Sequence, residues 1–167
     1  MIIRNARENE LTFIREQRVH SYKEHSKNLP LEHWEALKKA ISSEADIQPG
    51  VELIVAEWEG KVTGSVALFP AETDAYEGAV ELLDYPEIRM LAVSPDTRGR
   101  GVATALVSEC IRRAKAQGCT AIGLHTGQFM EMAIHLYERI GFERQPEFDF
   151  EPANDGIIVR AYKLELT

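Results

Sequence analysis

EIRMLAVSPDTRGRGVATALVSECIRRAKAQ, residues 87–117, combines an apolar run, a turn and an amphipathic segment. The run at 87–93 predicts a β-strand, and the Ser-Pro-Asp-Thr sequence at 94–97 ends it. The turn that follows opens a helix to about Gln117, in which apolar side chains recur every four positions and form one buried face. A strand, a tight turn and a helix in succession predict an α/β protein.

Two arginines and two glycines stand where this helix begins. The first backbone N–H groups of a helix have no partner inside it, and the helix dipole favours negative charge there. Glycine lets the backbone approach a phosphate closely, and arginine adds forked, charged donors. We therefore expect a phosphate-bearing ligand between the strand end and the helix start, held by Arg98, Gly99, Arg100, Gly101, Val102, Ala103 and Thr104.

Two other phosphate-binding motifs fit this turn poorly. The chain contains no G-x-x-x-x-G-K-[ST] stretch, which argues against a P-loop. A dinucleotide fold uses G-x-G-x-x-G with an acidic residue at the end of the next strand. Here Thr104 stands at the third glycine position, and the next predicted strand ends in His125 and Thr126.

Three motifs in register resemble the GNAT superfamily of acetyl-CoA-dependent N-acetyltransferases. The residues Arg98-x-x-Gly101-x-Ala103 resemble its pyrophosphate signature, [QR]-x-x-G-x-[GA]. LAVSP at 91–95 is similar to the strand end of that family, and AIHLYERIGF at 133–142 is similar to its A-x-x-L-Y-x-x-x-G-F helix and exit. The resemblance extends over residues 87–142.

The resemblance implies a GNAT-like α/β fold, in which helices flank a mixed, mostly antiparallel central sheet that splays between strands near 87–93 and 120–126. It implies direct attack of a primary amine, on a small molecule or peptide, upon acetyl-CoA in a ternary complex. Two alternatives stay open: a non-catalytic, acyl-CoA-binding regulatory module of the same fold, and a nucleotide-binding α/β enzyme. By analogy with the family, a homodimer is a further expectation.

The remaining pattern predicts one N-acetyltransferase domain over residues 1–167 with the order β-α-α-β-β-β-α-β-α-β. The predicted strands are 2–4, 51–58, 61–69, 87–93, 120–126 and 157–166. The predicted helices are 9–25, 31–45, 129–140 and the helix of about 16 residues that follows the turn and ends near residue 117.

Composition limits the function classes. The formal net charge of −8 argues against nucleic acid as the main partner, because phosphate backbones require a basic face. No apolar run reaches the roughly 18 residues that span a bilayer, and residues 1–5 lack a signal-peptide pattern. Cys110 and Cys119 form neither a disulfide framework nor a metal motif. We expect a cytoplasmic protein without a metal or a membrane partner.

Four groups are candidates for proton transfer: three for the base and one for the acid. Glu87 begins the strand that leads to the pyrophosphate turn, where histone-acetylating members of the family keep a glutamate base. His125, at the end of the next strand, is the second candidate base, and water the third. Tyr137 occupies the position where the family often places a tyrosine near the thioester sulfur, so it is both the candidate general acid and a cofactor contact. The structural alternatives are a solvent-exposed carboxylate or one paired with Arg89 for Glu87, a hydrogen-bonded structural histidine for His125, and core packing for Tyr137.

Four further residues are expected to contact the pantetheine arm. The resemblance implies that Leu91, Ala92 and Val93 pair with the arm through their backbones, as an added strand does, and that a backbone N–H near Leu91 stabilises the oxyanion. Met130 stands where the family often has an asparagine that contacts the arm. Methionine cannot reproduce those hydrogen bonds.

An acidic segment, residues 70–86, precedes the key strand. It holds five carboxylates and no basic residue, so it favours cations in its surroundings. It is read either as a solvated loop or as a segment that draws an amine substrate.

Overall fold

The computed structural model describes residues 1–73 and 82–167 of this chain. Within those residues the strands are β1 (Ile2–Asn5), β2 (Glu52–Trp58), β3 (Lys61–Phe69), β4 (Glu87–Val93), β5 (Ala121–Gly127), β6 (Glu143–Arg144) and β7 (Val159–Glu165). The α-helices are α1 (Leu11–Tyr22), α2 (Leu31–Ile41), α3 (Val102–Ala116) and α4 (Glu131–Ile140). Short 3₁₀ turns connect several of them.

The described strands form one mixed sheet with the order β1-β2-β3-β4-β5-β7-β6. All neighbours run antiparallel except β4 and β5, which are parallel and pair at Glu87 and Ile88. Beyond Ile88 the structure shows no further β4–β5 pairing in the described residues, so the sheet opens between the two strands. The predicted α/β fold with a sheet that splays at this point is confirmed.

An irregularity in β4 lies at the start of this opening. Ala92 pairs with Ser65 and Arg89 pairs with Ala67, so three steps along β4 match two steps along β3. Met90 takes up the extra residue with φ 59°, in the left-handed region. In a regular strand Ile88 and Leu91, three positions apart, would lie on opposite faces. Here both contact the α3 side of the sheet, so the bulge has reversed the alternation of side chains.

Helices cover both faces of the sheet. The buried stripe of α3 consists of Val102, Leu106, Cys110 and Ala114, each at most 2% exposed, and it packs against β2, β3 and β4. Burial of Val102 and Leu106 contributes about 1.5–3 kcal/mol for each side chain. On the opposite face, α1 packs against β3 and β4. The four-residue repeat of the sequence therefore predicts the packing of α3 correctly.

Most predicted boundaries lie within two residues of those in the structure, and the larger differences are two helix ends and one strand. The first predicted helix ends at Tyr22, and a 3₁₀ segment continues over Lys23–Asn28. The second ends at Ile41 rather than residue 45, because the Ser42 and Ser43 hydroxyls donate to backbone carbonyls of the last turn. Strand β6 was absent from the prediction, since two residues carry no periodicity, and it forms by pairing with β7.

Candidate active site

A cleft of about 680 Å³ opens where β4 leaves β5. Its walls come from the end of β4, the turn and first residues of α3, the start of α4, and the end of α1 with the 3₁₀ segment after it. The predicted site residues that line it are Leu91, Ala92, Val93, Arg98, Gly99, Gly101, Val102, Ala103, Thr104 and Met130. The structure therefore brings together ten of the residues that the sequence singled out.

The turn before α3 has the backbone shape that an anion site needs. Gly99 and Gly101 both have φ 79°, where L-residues with side chains are strained, and Gly101 is the N-cap of α3. The first i→i+4 bond of the helix runs from the Ala105 N–H to the Gly101 carbonyl. The N–H groups of the first turn therefore have no helical partner, and the start of this 15-residue helix lies in the cleft wall.

The two arginines of this turn differ in position. Arg98 lines the cleft, where its guanidinium forms an ion pair with Glu24 and donates to the Ser21 carbonyl at 3.1 Å. Arg100 does not line the cleft. Its guanidinium lies 5.6 Å from the centre of the Trp58 ring. The structure therefore places one of the two predicted cationic contacts in the cleft.

Tyr137 lies on α4 and is buried, with 5% of its surface exposed. Its ring packs at 5.8 Å from the Phe142 ring, and it is not among the residues that line the cleft. Burial raises the pKa of its phenol well above the usual value, and the neighbouring Tyr22 and Cys110 add to that rise. The hydroxyl is therefore protonated at neutral pH, as a proton donor must be.

Glu87 and His125 form a buried pair on the adjacent strands β4 and β5. The Glu87 Oε2 and His125 Nδ1 atoms are 2.7 Å apart, and His125 Nε2 lies 3.1 Å from the Phe148 carbonyl oxygen. Because a carbonyl only accepts, Nε2 carries a proton. The short contact on the other side requires a further proton between Nδ1 and the carboxylate. Neither residue lines the cleft.

Tyr22 is a cleft residue that sequence reasoning did not select. It ends α1, is 8% exposed, and donates its hydroxyl hydrogen to the Leu91 carbonyl at 2.9 Å. Burial raises the pKa of this phenol to about 12, although Arg18 and Arg89 partly oppose the rise. The sequence offered only its place on the apolar face of a helix, which is the ordinary signature of a core residue.

The opposite wall of the cleft is aromatic. Phe129 lies in it, with the His25 ring at 5.3 Å and the His33 ring at 6.0 Å from the Phe129 ring centre. Burial lowers the pKa of His25. Met130 follows as the N-cap of α4, and its N–H donates to the Gly127 carbonyl.

Part of the acidic segment lies outside the residues that the structure describes. Asp74, Glu77 and Glu81 lie outside the described residues, so their effect on a cationic substrate stays a prediction. Within residues 1–73 and 82–167, no three His, Cys, Asp or Glu side chains cluster as ligands for a metal ion. In the same ranges, every helix is too short or too polar to span a bilayer.

The sequence profile of the acetyltransferase (GNAT) family matches residues 12–142. The chain belongs to the GNAT acetyltransferase family. N-acetyltransferase 8 of Rattus norvegicus is 36% identical to this GNAT protein over 93 residues, which are 56% of the chain and 40% of the rat protein. An acetyltransferase of Sodalis glossinidius is 35% identical over 92 residues, 55% of the chain and 57% of that protein. The chain thus matches roughly half the length of these curated relatives.

Solved structures of other GNAT proteins share the fold over their whole length. PaiA N-acetyltransferase from Thermoplasma acidophilum, in complex with coenzyme A, superposes with a TM-score of 0.71 at 15% identity and covers 99% of this chain and 98% of that chain. An acetyltransferase from Salmonella typhimurium with its cofactor acetyl-CoA gives a TM-score of 0.67 at 20% identity, over 100% of this chain and 94% of that one. At these identities the likeness shows the fold alone.

Proposed function

We propose that this GNAT protein transfers the acetyl group of acetyl-CoA to a primary amine of a small molecule or peptide. The observation that carries the proposal is the cleft between β4 and α3, where a glycine-rich helix start and Arg98 lie beside the end of β4, which no longer pairs with β5. The family match and the relatives solved with acetyl-CoA or coenzyme A support acetyl-CoA as the cosubstrate.

The residues in the cleft suit the two ends of this cosubstrate. The free N–H groups at the start of α3 and the Arg98 guanidinium supply donors for a pyrophosphate. A Cβ atom placed on Gly99 or Gly101 would meet nothing within 4 Å, so there is room beside the turn. Beyond its pairing with β5, β4 leaves an edge to which a peptide-like pantetheine arm can add as a strand does.

The acceptor amine must lose a proton before it attacks. For an amine with a pKa near 10.4, deprotonation at pH 7 requires about 4.6 kcal/mol. We assign the acceptance of that proton to the Glu87–His125 pair, which must act through water because neither residue lines the cleft.

The remaining steps concern the thioester. The amine nitrogen forms a bond to the acetyl carbon, the carbonyl oxygen gains negative charge, and a backbone N–H near Leu91 stabilises it. The C–S bond then breaks and the electron pair stays on sulfur. We assign protonation of the thiolate to Tyr137, although its buried ring does not itself line the cleft. This step contributes modestly because a thiol has a pKa near 8.5. No covalent acyl-enzyme is required.

The test is CoA-thiol release from acetyl-CoA across amines, polyamines, amino acids and peptides with free N-termini. Turnover with one class establishes the enzyme and its substrate. Arg98→Ala should raise the KM for acetyl-CoA tenfold or more, because it removes a charged donor worth about 1.5–3 kcal/mol. Arg112→Ala, on the exposed face of α3, is the matched control. Tight acetyl-CoA binding without turnover on any amine would instead favour the regulatory module.

The proposal also covers the domain, the cellular compartment and the oligomeric state in which the reaction takes place. We place the reaction in a single domain over residues 1–167 in the cytoplasm. A homodimer would follow the habit of the family. Size-exclusion chromatography with light scattering tests the dimer, and a mass equal to that of one chain would refute it.

A further inference from the structure

Tyr22 connects α1 to the irregular part of β4. Its ring belongs to a buried cluster with Trp34, Ile41 and Ala92, and Met130 packs at the edge of that cluster. Its hydroxyl lies 2.9 Å from the carbonyl oxygen of Leu91. A residue of the first helix therefore contacts the strand just where the strand enters the cleft.

The segment that Tyr22 contacts is under local strain. Met90 has φ 59°, a conformation that a residue with a side chain adopts only when its surroundings enforce it. The register shift between Ser65 and Ala67 leaves this part of β4 without regular pairing to β3. The pairing with β5 has ended at Ile88. The β3 pairs at Arg89 and Ala92 hold the two sides of the bulge, and the contact from Tyr22 adds a restraint from outside the sheet.

The hydrogen bond to Leu91 acts on the backbone that faces the thioester. The Leu91 carbonyl and the Ala92 N–H belong to one planar peptide unit, so fixing the direction of the first also fixes the second. The Leu91 N–H belongs to the preceding peptide unit, which follows Met90. A donor on the Leu91 carbonyl thus restrains the peptide unit between Leu91 and Ala92, that is, the ψ angle of Leu91 and the φ angle of Ala92.

We propose that Tyr22 is a positioning residue for acetyl transfer, which holds the Met90–Leu91 bulge so that the backbone N–H near Leu91 is aligned with the thioester oxygen. The inference rests on the proposed function and adds to it a residue from outside the family motifs. Tyr22 gives up no proton in this role. Its phenol, with a pKa near 12, stays protonated at neutral pH and remains a donor.

A purely structural role predicts a different result from a positioning role. If Tyr22 served only to fill the core, removal of its hydroxyl alone would leave the ring packing and the reaction rate intact. If it aligns the bulge, removal of the hydroxyl should slow the chemical step and leave cofactor binding intact, because the pyrophosphate contacts lie on α3. The substitution Tyr22→Phe separates the two.

Tyr162→Phe is the matched control. Tyr162 is 1% exposed, and its hydroxyl has no hydrogen-bond partner in the described part of the chain. It belongs to the core cluster below α3 and α4 and does not line the cleft. Both variants remove one oxygen from a buried tyrosine, but only Tyr22→Phe removes a bond to the strand.

The experiment combines steady-state kinetics with amide hydrogen exchange. For Tyr22→Phe we expect kcat to fall about tenfold while the KM for acetyl-CoA changes less than about twofold, as for one lost hydrogen bond acting at the transition state. Exchange of the backbone amides in residues 89–93 should accelerate. Tyr162→Phe should leave kcat, KM and exchange in that segment unchanged.

Two results would overturn the inference: an unchanged kcat in Tyr22→Phe, or unchanged exchange in residues 89–93. If the wild-type protein acetylates no amine, the proposed function fails on its own. The exchange measurement then decides alone whether Tyr22 holds the bulge.

Discussion

Replacement of Glu24 by glutamine is expected to strengthen the binding of coenzyme A. In the structure Glu24 lines the cleft and forms an ion pair with Arg98, the arginine assigned to the pyrophosphate. A carboxylate in this place competes with the phosphates for the guanidinium and also repels them. Glutamine keeps the size and polarity of the side chain and removes only the charge.

The size of the effect follows from the exposure of the pair. The Glu24 and Arg98 side chains are 45% and 33% exposed, so solvent screens their attraction. Ion pairs of this kind are worth about 0.2–1 kcal/mol. Release of Arg98 from the pair should therefore tighten coenzyme A binding by up to about fivefold. The gain should shrink as salt is raised beyond about 0.15 M, where the screening length is about 8 Å.

Isothermal titration of coenzyme A into the wild-type protein and Glu24→Gln, at low and at physiological salt, measures this effect. Glu131→Gln is the control, because Glu131 lines the same cleft and loses the same charge without an ion pair to Arg98. Equal gains in both variants would indicate general electrostatics rather than competition for Arg98. An unchanged or weaker affinity of Glu24→Gln would refute the reasoning.

Two further predictions concern stability. Asp46→Ala should lower the free energy of unfolding by about 3–5 kcal/mol in urea titration, because it leaves the fully buried Arg18 guanidinium without its carboxylate. Arg15→Ala, which removes the more exposed arginine from the same carboxylate, should lower the free energy of unfolding by less. Equal losses in the two variants would contradict this account. Donation from Arg4 lowers the pKa of Glu10 to about 2 from 4.5. The resulting stability is fully present above pH 4.5 and is lost as the pH falls towards 2. Glu10→Gln should therefore flatten the fall in Tm between pH 5 and 2.5, and an unchanged slope would contradict the pairing.

The sequence by itself determined the parts of this protein that depend on neighbours along the chain. The strand at 87–93, the glycine turn and the buried face of α3 follow from side-chain period and from the special backbone freedom of Gly101. The residues from 98 to 104 could be selected from the sequence because the start of a helix and an anion-binding site lie in the same short stretch of the chain. The motif spacing then identified the family.

Contacts between distant residues were decided by the tertiary structure. Tyr22 meets Leu91 across 69 positions, Arg98 meets Glu24 across 74, and Glu87 meets His125 across 38. Such pairs leave no trace in local periodicity, because they depend on how helices and strands are placed in space. The bulge at Met90 is also a property of the pairing between β3 and β4. Arg100 shows the limit most clearly, since it stands only two positions after Arg98 and yet the fold turns it towards Trp58, outside the residues that line the cleft.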